Sequence, residues 1–92
     1  MTLLSDQEIQ QRLAGSAWDV HGQSIARECE LADFSTAIAL VNRVAELAES
    51  ANHHPDILVH GWNKVRLELS THSAGGLTSA DFALAEQIDA LL

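Results

Sequence analysis

The strongest constraint on how this chain folds is a stretch of strict alternation in its second half. Between Val65 and Thr71, apolar side chains or threonine occupy the odd positions, and Arg, Glu and Ser occupy the even ones. Side chains of a strand point alternately to opposite faces, so this pattern predicts a β-strand with one buried and one solvated face. Sheets that are wet on one face are typically antiparallel and bury the other face under helices.

Capping signals and hydrophobic periodicity predict the remaining elements. Helices are expected at about residues 6–14, 34–50 and 79–91, and further strands at about 18–21, 25–31 and 57–59. The order is α-β-β-α-β-β-α, with hairpins between consecutive strands. We therefore predict an α+β fold for a single domain over residues 1–92, with a four-stranded antiparallel sheet and its helices packed on one face.

The central helix has a wider apolar face than contact with one sheet requires. Its helical stripe consists of Phe34, Ala37, Ile38, Val41, Val44, Ala45 and Ala48. Leu40 and Leu47 widen this stripe on one side, and we expect a partner subunit to cover the excess. A free edge strand would also be a liability unless it were covered or paired, which favours a homodimer or homotetramer.

Charge and composition exclude several classes of partner. Thirteen acidic residues against five basic ones give a formal charge of −8, and the basic residues are scattered. Nucleic acid and anionic membranes need clustered Lys and Arg, so neither is an expected partner. Cys29 is the only cysteine, the N-terminus does not resemble a signal peptide, and no apolar run is long enough to span a membrane. These features predict a cytoplasmic protein.

Four of the five histidines lie between residues 53 and 72, and three of them flank two predicted strands. His53 and His54 precede the predicted strand at 57–59, and His72 follows the strand at 65–71. Antiparallel pairing of these strands would bring the three imidazoles to one end of the sheet. Imidazole gives and takes protons near neutral pH because its unperturbed pKa is about 6.5, so the cluster favours acid–base chemistry.

Other interpretations of these histidines stay open. The imidazoles of His53 and His54 could instead bind the last carbonyl groups of the preceding helix, and His72 could be an isolated residue at a strand end. Three histidines also suggest an open zinc site. However, adjacent residues usually point apart and no obvious fourth ligand is present, so we predict no metal.

Two carboxylates near the histidines also have two interpretations each. Asp81 lies three residues after Thr78, as in a helix-capping box, and it could also orient His72. Glu49 lies in the last turn of the central helix, where the macrodipole disfavours a negative charge. The side chain of Glu49 could therefore contact a histidine, or it could simply be exposed to solvent.

Four segments match one known family in order and at nearly its spacing. They are HHPD at 53–56, WNKV at 62–65, STH at 70–72 and GGLTSAD at 75–81. Matching residues upstream are Trp18, the I-x-R at 25–27, the DF at 33–34 and the AE at 48–49. In these segments the chain resembles the pterin-4a-carbinolamine dehydratases, and the resemblance covers nearly its whole length. One departure is Trp62, which stands where a tyrosine is more frequent.

The resemblance implies a hydro-lyase that removes water from 4a-hydroxytetrahydropterin to give quinonoid dihydropterin. It implies histidine general acid–base catalysis with no metal or organic cofactor. The reaction would recycle tetrahydrobiopterin for an aromatic amino-acid hydroxylase, a possible functional partner. The competing hypothesis is a non-catalytic protein-interaction or dimerisation module with a vestigial pterin pocket.

The resemblance also implies roles for particular residues. The catalytic residues would be His53, His54 and His72. The substrate-binding residues would be Asn52, Pro55, Ser70, Thr71 and Ser73, and the supporting residues Glu49, Trp18 and Asp81. Neither the residues nor the resemblance assigns the acid and the base among the three histidines.

Overall fold

The computed structural model describes residues 2–92, and its elements follow the predicted order. The helices are α1 (Asp6–Leu13), α2 (Phe34–Ala51) and α3 (Ser79–Asp89). The strands are β1 (Asp19–His21), β2 (Ser24–Glu30), β3 (Asp56–His60) and β4 (Lys64–Leu69), and a short 3₁₀ helix spans His72–Ala74. Within the described range, no helix combines the length and the apolar character that crossing a membrane requires.

The four strands form one antiparallel sheet in the order β1-β2-β4-β3. Ile25 of β2 pairs with Leu69 of β4, and Asp56 of β3 pairs with Glu68 of β4. The end of β1, the start of β2, the end of β4 and the start of β3 therefore lie at the same end of the sheet. We call this the histidine end, because His53, His54 and His72 adjoin those strand termini.

The core lies between one face of the sheet and the helices, which confirms the predicted α+β architecture. The sheet contributes Ile25, Val65, Leu67 and Leu69, and the helices contribute Val44, Leu84 and Ile88, all with 1% exposure or less. The alternation that predicted β4 is confirmed, because its odd-numbered side chains are buried and its even-numbered ones are partly exposed.

The predicted role of Leu40 in a subunit interface was wrong. Leu40 is buried in the core, and Leu47 packs against that core. The face that α2 turns to the sheet is the line of buried residues Ala37, Leu40, Val44 and Ala48. Phe34, the first residue of α2 and part of the predicted stripe, is instead 55% exposed. The periodicity of the sequence identified the apolar residues of α2. It did not show how the helix is rotated about its axis, and therefore which of these residues face the sheet.

The turn between β3 and β4 places an aromatic residue in an unfavourable backbone conformation. Gly61 and Trp62 both have positive φ, at 54° and 59°. This region costs a residue with a Cβ atom about 1–2 kcal/mol. The side-chain amide of Asn63 donates to the Leu31 carbonyl at 3.0 Å, which ties the turn to the end of β2. The indole of Trp62 remains 63% exposed.

Candidate active site

The C-terminus of α2 determines where the two adjacent histidines point. Asn52 adopts the left-handed conformation, with φ 50° and ψ 44°. Asparagine tolerates this region better than most residues with a Cβ atom. The backbone N–H of His53 then donates to the Ala48 carbonyl at 3.1 Å and closes the helix end. Beyond this turn, the side chain of His53 lies against the protein interior and that of His54 faces outward.

The imidazole of His53 binds a buried carboxylate. Its Nε2 lies 2.6 Å from Oδ1 of Asp81. The side chain of His53 is 15% exposed, and that of Asp81 is completely buried. Asp81 was expected to orient His72 if it had a role beyond capping, but its histidine partner is His53. Asp81 contacts His53 because the first turn of α3 packs beside the residues that follow α2.

Asp81 is held by the start of its own helix and by a neighbouring strand end. Its Oδ2 accepts the Thr78 backbone N–H at 2.9 Å, as in a capping box. The same oxygen accepts the Thr71 hydroxyl at 2.8 Å. The hydroxyls of Thr71 and Thr78 lie 2.8 Å apart. Both oxygens of the carboxylate are thus hydrogen-bonded despite its burial, which is the condition for tolerating a polar group there.

His54 forms the second histidine–carboxylate contact, in a solvated position. Its Nε2 lies 3.1 Å from Oε1 of Glu49, and the two side chains are 56% and 78% exposed. A contact with a histidine was one of the two interpretations of Glu49 from the sequence. Because both groups are exposed, the pair adds little to stability and leaves the imidazole of His54 accessible.

His72 begins the 3₁₀ helix immediately after Thr71, and its side chain is exposed. Thr71 has already left β4 and forms an isolated bridge with Gly76, in which its N–H donates to the Gly76 carbonyl at 2.9 Å. His72 is therefore one residue from the hydroxyl that binds Asp81. Thr71 therefore connects the His53–Asp81 pair to the backbone segment that carries His72.

The predicted substrate-binding residues occupy different environments at the histidine end. Asn52 and Ser73 are exposed, and Pro55 is partly buried between His54 and β3. Thr71 is buried and its hydroxyl is bound to Asp81. All four adjoin the start of β3 or the end of β4, but Thr71 does not present a free hydroxyl to solvent.

Ser70 connects this end to the β1–β2 hairpin. Its hydroxyl donates to the Gln23 carbonyl at 3.0 Å. The prediction of site residues did not include the Gly22–Gln23 turn. The register of the two hairpins could have indicated it, since β1 ends and β2 begins at the same end of the sheet as β4 ends.

Trp18 is not brought to the histidines. Its indole Nε1 donates to Oδ1 of Asp89 at 2.8 Å, and the guanidinium of Arg27 contacts the same oxygen at 2.5 Å. Asp89 is the last residue of α3, at the opposite end from Asp81. With 2% exposure, Trp18 belongs to the core at that end of the helix.

The described residues contain no group of three or more His, Cys, Asp or Glu side chains arranged to hold a metal ion. The segments that follow α2 and β4 contain one buried histidine–carboxylate pair, one exposed pair and a third exposed imidazole. Imidazole side chains are of the type that gives and takes protons near neutral pH.

Comparison with known proteins shows the family. The family model for pterin 4 alpha carbinolamine dehydratase matches residues 2–91. A protein of Roseiflexus castenholzii, named as a candidate pterin-4-alpha-carbinolamine dehydratase, is 52% identical over 91 residues, covering 98% of this chain and 97% of that protein. A protein of Acidobacterium capsulatum with the same name is 50% identical over 93 residues, covering 100% of both chains.

Solved structures agree with this result. A transcriptional coactivator/pterin dehydratase from Brucella melitensis superposes with a TM-score of 0.91 at 32% identity, covering 98% of each chain. A pterin dehydratase-like RuBisCO assembly factor of the alpha-carboxysome has a TM-score of 0.68 at 24% identity, over 82% of this chain and 88% of that one, and shows the shared fold alone. The family-model match and the relatives of equal length show that this chain belongs to the pterin 4 alpha carbinolamine dehydratase family.

Proposed function

We propose that this protein dehydrates a 4a-hydroxytetrahydropterin to the quinonoid dihydropterin. The principal supporting observation is the 2.6 Å contact of His53 with a fully buried Asp81, at the end of the sheet where His54 and His72 also lie. Membership in the family supports dehydratase chemistry. Tetrahydrobiopterin recycling and a functional link to an aromatic amino-acid hydroxylase are proposed on the resemblance.

The proposed reaction needs two proton transfers. The bond between C4a and its hydroxyl oxygen breaks as that oxygen receives a proton and leaves as water. The proton on N5 is removed, and its bonding electrons form the C4a=N5 double bond. Side chains that give and take protons near neutral pH are sufficient for both transfers, and general acid–base catalysis typically contributes about 10²–10⁴-fold. We therefore propose a mechanism without metal or organic cofactor.

The two adjacent histidines are suited to different tasks. His53 is mostly buried and bound to a fixed carboxylate, whereas His54 is largely exposed and bound to an exposed one. Two imidazoles with different partners and exposure can serve different proton transfers, one as acceptor and the other as donor. His72 supplies a third imidazole next to Thr71.

The test is dehydration of a synthetic 4a-hydroxytetrahydropterin, followed by absorbance with and without a chelator. We expect activity that the chelator does not change. His54→Ala and His72→Ala should each lose most of the rate, roughly 10²-fold or more, and retain the circular dichroism spectrum of the parent. His60→Ala is the matched control, because the partly exposed His60 ends β3 at the opposite end of the sheet from the histidine end. Rates like the parent's in both histidine variants would refute the mechanism.

We also propose that the chain forms a homodimer or homotetramer. The strands β1 and β3 each have one unpaired side in the sheet order. Leu58 on β3 is 55% exposed, as is Phe34 at the start of α2. Edge strands and exposed apolar side chains are both stabilised when a second subunit covers them.

The second candidate function is a non-catalytic interaction module. The observation that favours it is the exposure of large apolar side chains away from the histidine end, with Trp62 at 63%. The Brucella melitensis protein is named a transcriptional coactivator as well as a pterin dehydratase. Absence of dehydration by the parent protein in the assay above would favour this candidate. The cytoplasmic location stays a prediction from the sequence.

A further inference from the structure

We propose that Thr71 and Asp81 are positioning residues that hold the neutral imidazole of His53 as its Nε2–H tautomer. In that tautomer Nδ1 has the only ring lone pair that can accept a proton. The inference deepens the proposed function and rests on it for its catalytic meaning. The tautomer itself is a property of the folded chain and can be measured without substrate.

Asp81 is the acceptor in each of its hydrogen bonds. A backbone N–H can only donate, so Oδ2 of Asp81 accepts from Thr78 at 2.9 Å. The Thr71 hydroxyl donates to the same oxygen at 2.8 Å. An ionised carboxylate has no hydrogen to give. Its other oxygen, Oδ1, therefore also accepts, and the donor at 2.6 Å is Nε2–H of His53.

The burial of these groups excludes a different set of hydrogen bonds around Asp81. Asp81 is 0% exposed, Thr78 1% and Thr71 4%. A hydroxyl has one hydrogen, and that of Thr71 is committed to Asp81. In the 2.8 Å contact between the two threonine hydroxyls, Thr71 must therefore accept and Thr78 donate. Rotating the Asp81 carboxylate would break several of these bonds at once in a site that solvent does not reach, which is costly.

These hydrogen bonds also define the role of the Thr71 hydroxyl. The family resemblance implies that Thr71 lines the substrate pocket. In the structure its hydroxyl is buried and used within the protein, where it helps to fix the carboxylate that faces His53. Thr71 is thus placed to affect the rate of proton transfer through His53 rather than to contact a ligand with its hydroxyl.

The main test replaces Asp81 by Asn, which has nearly the same shape. The Thr78 N–H and the Thr71 hydroxyl require an acceptor, so the amide oxygen should take the place of Oδ2. The amide NH₂ then faces Nε2 of His53 and donates to it, which forces the Nδ1–H tautomer. We expect ring-nitrogen NMR to show Nε2–H in the parent and Nδ1–H in Asp81→Asn. Because the tautomer is then wrong for accepting a proton at Nδ1, dehydration should fall on the order of 10²-fold or more.

A second pair of variants tests Thr71. Thr71→Val removes the hydroxyl, and Thr71→Ser retains it. We expect kcat for dehydration to fall about tenfold or more in Thr71→Val, with KM nearly unchanged, and to be largely restored in Thr71→Ser. Thermal unfolding of both variants separates this effect from loss of the fold. If Thr71→Val does not fold, the Asp81→Asn measurement decides the question alone.

The outcomes separate this proposal from the proposed function. An Nδ1–H tautomer in the parent, or the same tautomer in the parent and Asp81→Asn, would overturn the positioning role even if the protein is an active dehydratase. A tautomer change without any dehydration by the parent would refute the proposed function and leave the positioning role standing. Equal kcat in Thr71→Val and the parent would also overturn the role of Thr71.

Discussion

At the scale of single residues, identical side chains acquire different properties from their neighbours. His53 and His54 are consecutive, yet one contacts a fully buried carboxylate and the other an exposed one. The difference follows from the left-handed conformation of Asn52, which turns the chain sharply before His53. No sequence pattern at positions 53 and 54 distinguishes the two imidazoles. Their difference comes from where α2 ends.

Cys29 provides a test of burial at the residue scale. Its side chain faces the core, and desolvation raises the pKa of the thiol, an effect that the nearby positive charge of Arg27 only partly opposes. Since the thiolate is the reactive form, we expect labelling of native Cys29 by a thiol reagent at pH 7 to be slower than labelling of the urea-unfolded chain, on the order of tenfold or more. Equal rates would show that the thiol is accessible in the native state.

At the scale of elements, the caps determine where each helix begins. Asp33 begins α2, and its carboxylate accepts the Thr36 N–H at 2.8 Å and the Thr36 hydroxyl at 2.6 Å. These hydrogen bonds favour the charged form and lower the pKa of Asp33 below its ordinary value. Ser5 and Glu8 form a capping box at α1, and the hydrogen bond from the Ser5 backbone lowers the pKa of Glu8.

The lowered pKa of Asp33 gives a signed prediction for pH dependence. A carboxyl group whose pKa is lower in the folded state stabilises the fold above its unfolded pKa, and this stabilisation is lost as pH falls through the folded value. We expect Asp33→Ala to have a lower Tm than the parent at pH 7, with the difference shrinking below about pH 4. Asp33→Asn is the matched control, since asparagine also caps a helix but does not titrate in this range. An unchanged difference between Asp33→Ala and the parent at low pH would contradict this account.

At the scale of the whole molecule, α2 separates the core from the outer surface. Its buried line includes Leu40 with 4% exposure, whereas Phe34 at its first position is 55% exposed. The same helix therefore stabilises the subunit through its buried line and exposes a large apolar side chain at its N-terminal end.

One pair of substitutions tests this division. Leu40→Glu places an unpaired charge in the core, and we expect the variant to be unfolded or destabilised by about 3 kcal/mol or more. Phe34→Glu should keep the fold, with a change in stability of less than about 1 kcal/mol. If α2 forms a subunit interface, Phe34→Glu should also reduce the oligomer to smaller species in sedimentation velocity. A folded Leu40→Glu variant with parent-like Tm would refute the assignment of the core face. An unchanged oligomer in Phe34→Glu would refute the assignment of the interface.

The sequence by itself determined the elements, their order and the fold class. Alternation from Val65 to Thr71, the cap at Asp33 and the box at Thr78–Asp81 act over a few residues, so their consequences can be predicted locally. The sequence also indicated that the three histidines gather at one end of the sheet. That inference needed only the antiparallel pairing of β3 and β4.

Only the tertiary structure decided how those elements are rotated and which distant side chains meet. The choice of Leu40 for the core depends on the rotation of α2 about its axis. The choice of His53 as the partner of Asp81, and the contact of Trp18 with Asp89, depend on how α3 lies along the sheet. Contacts separated by 28 and 71 residues are fixed by the packing of whole elements, and local sequence patterns contain no information about that packing.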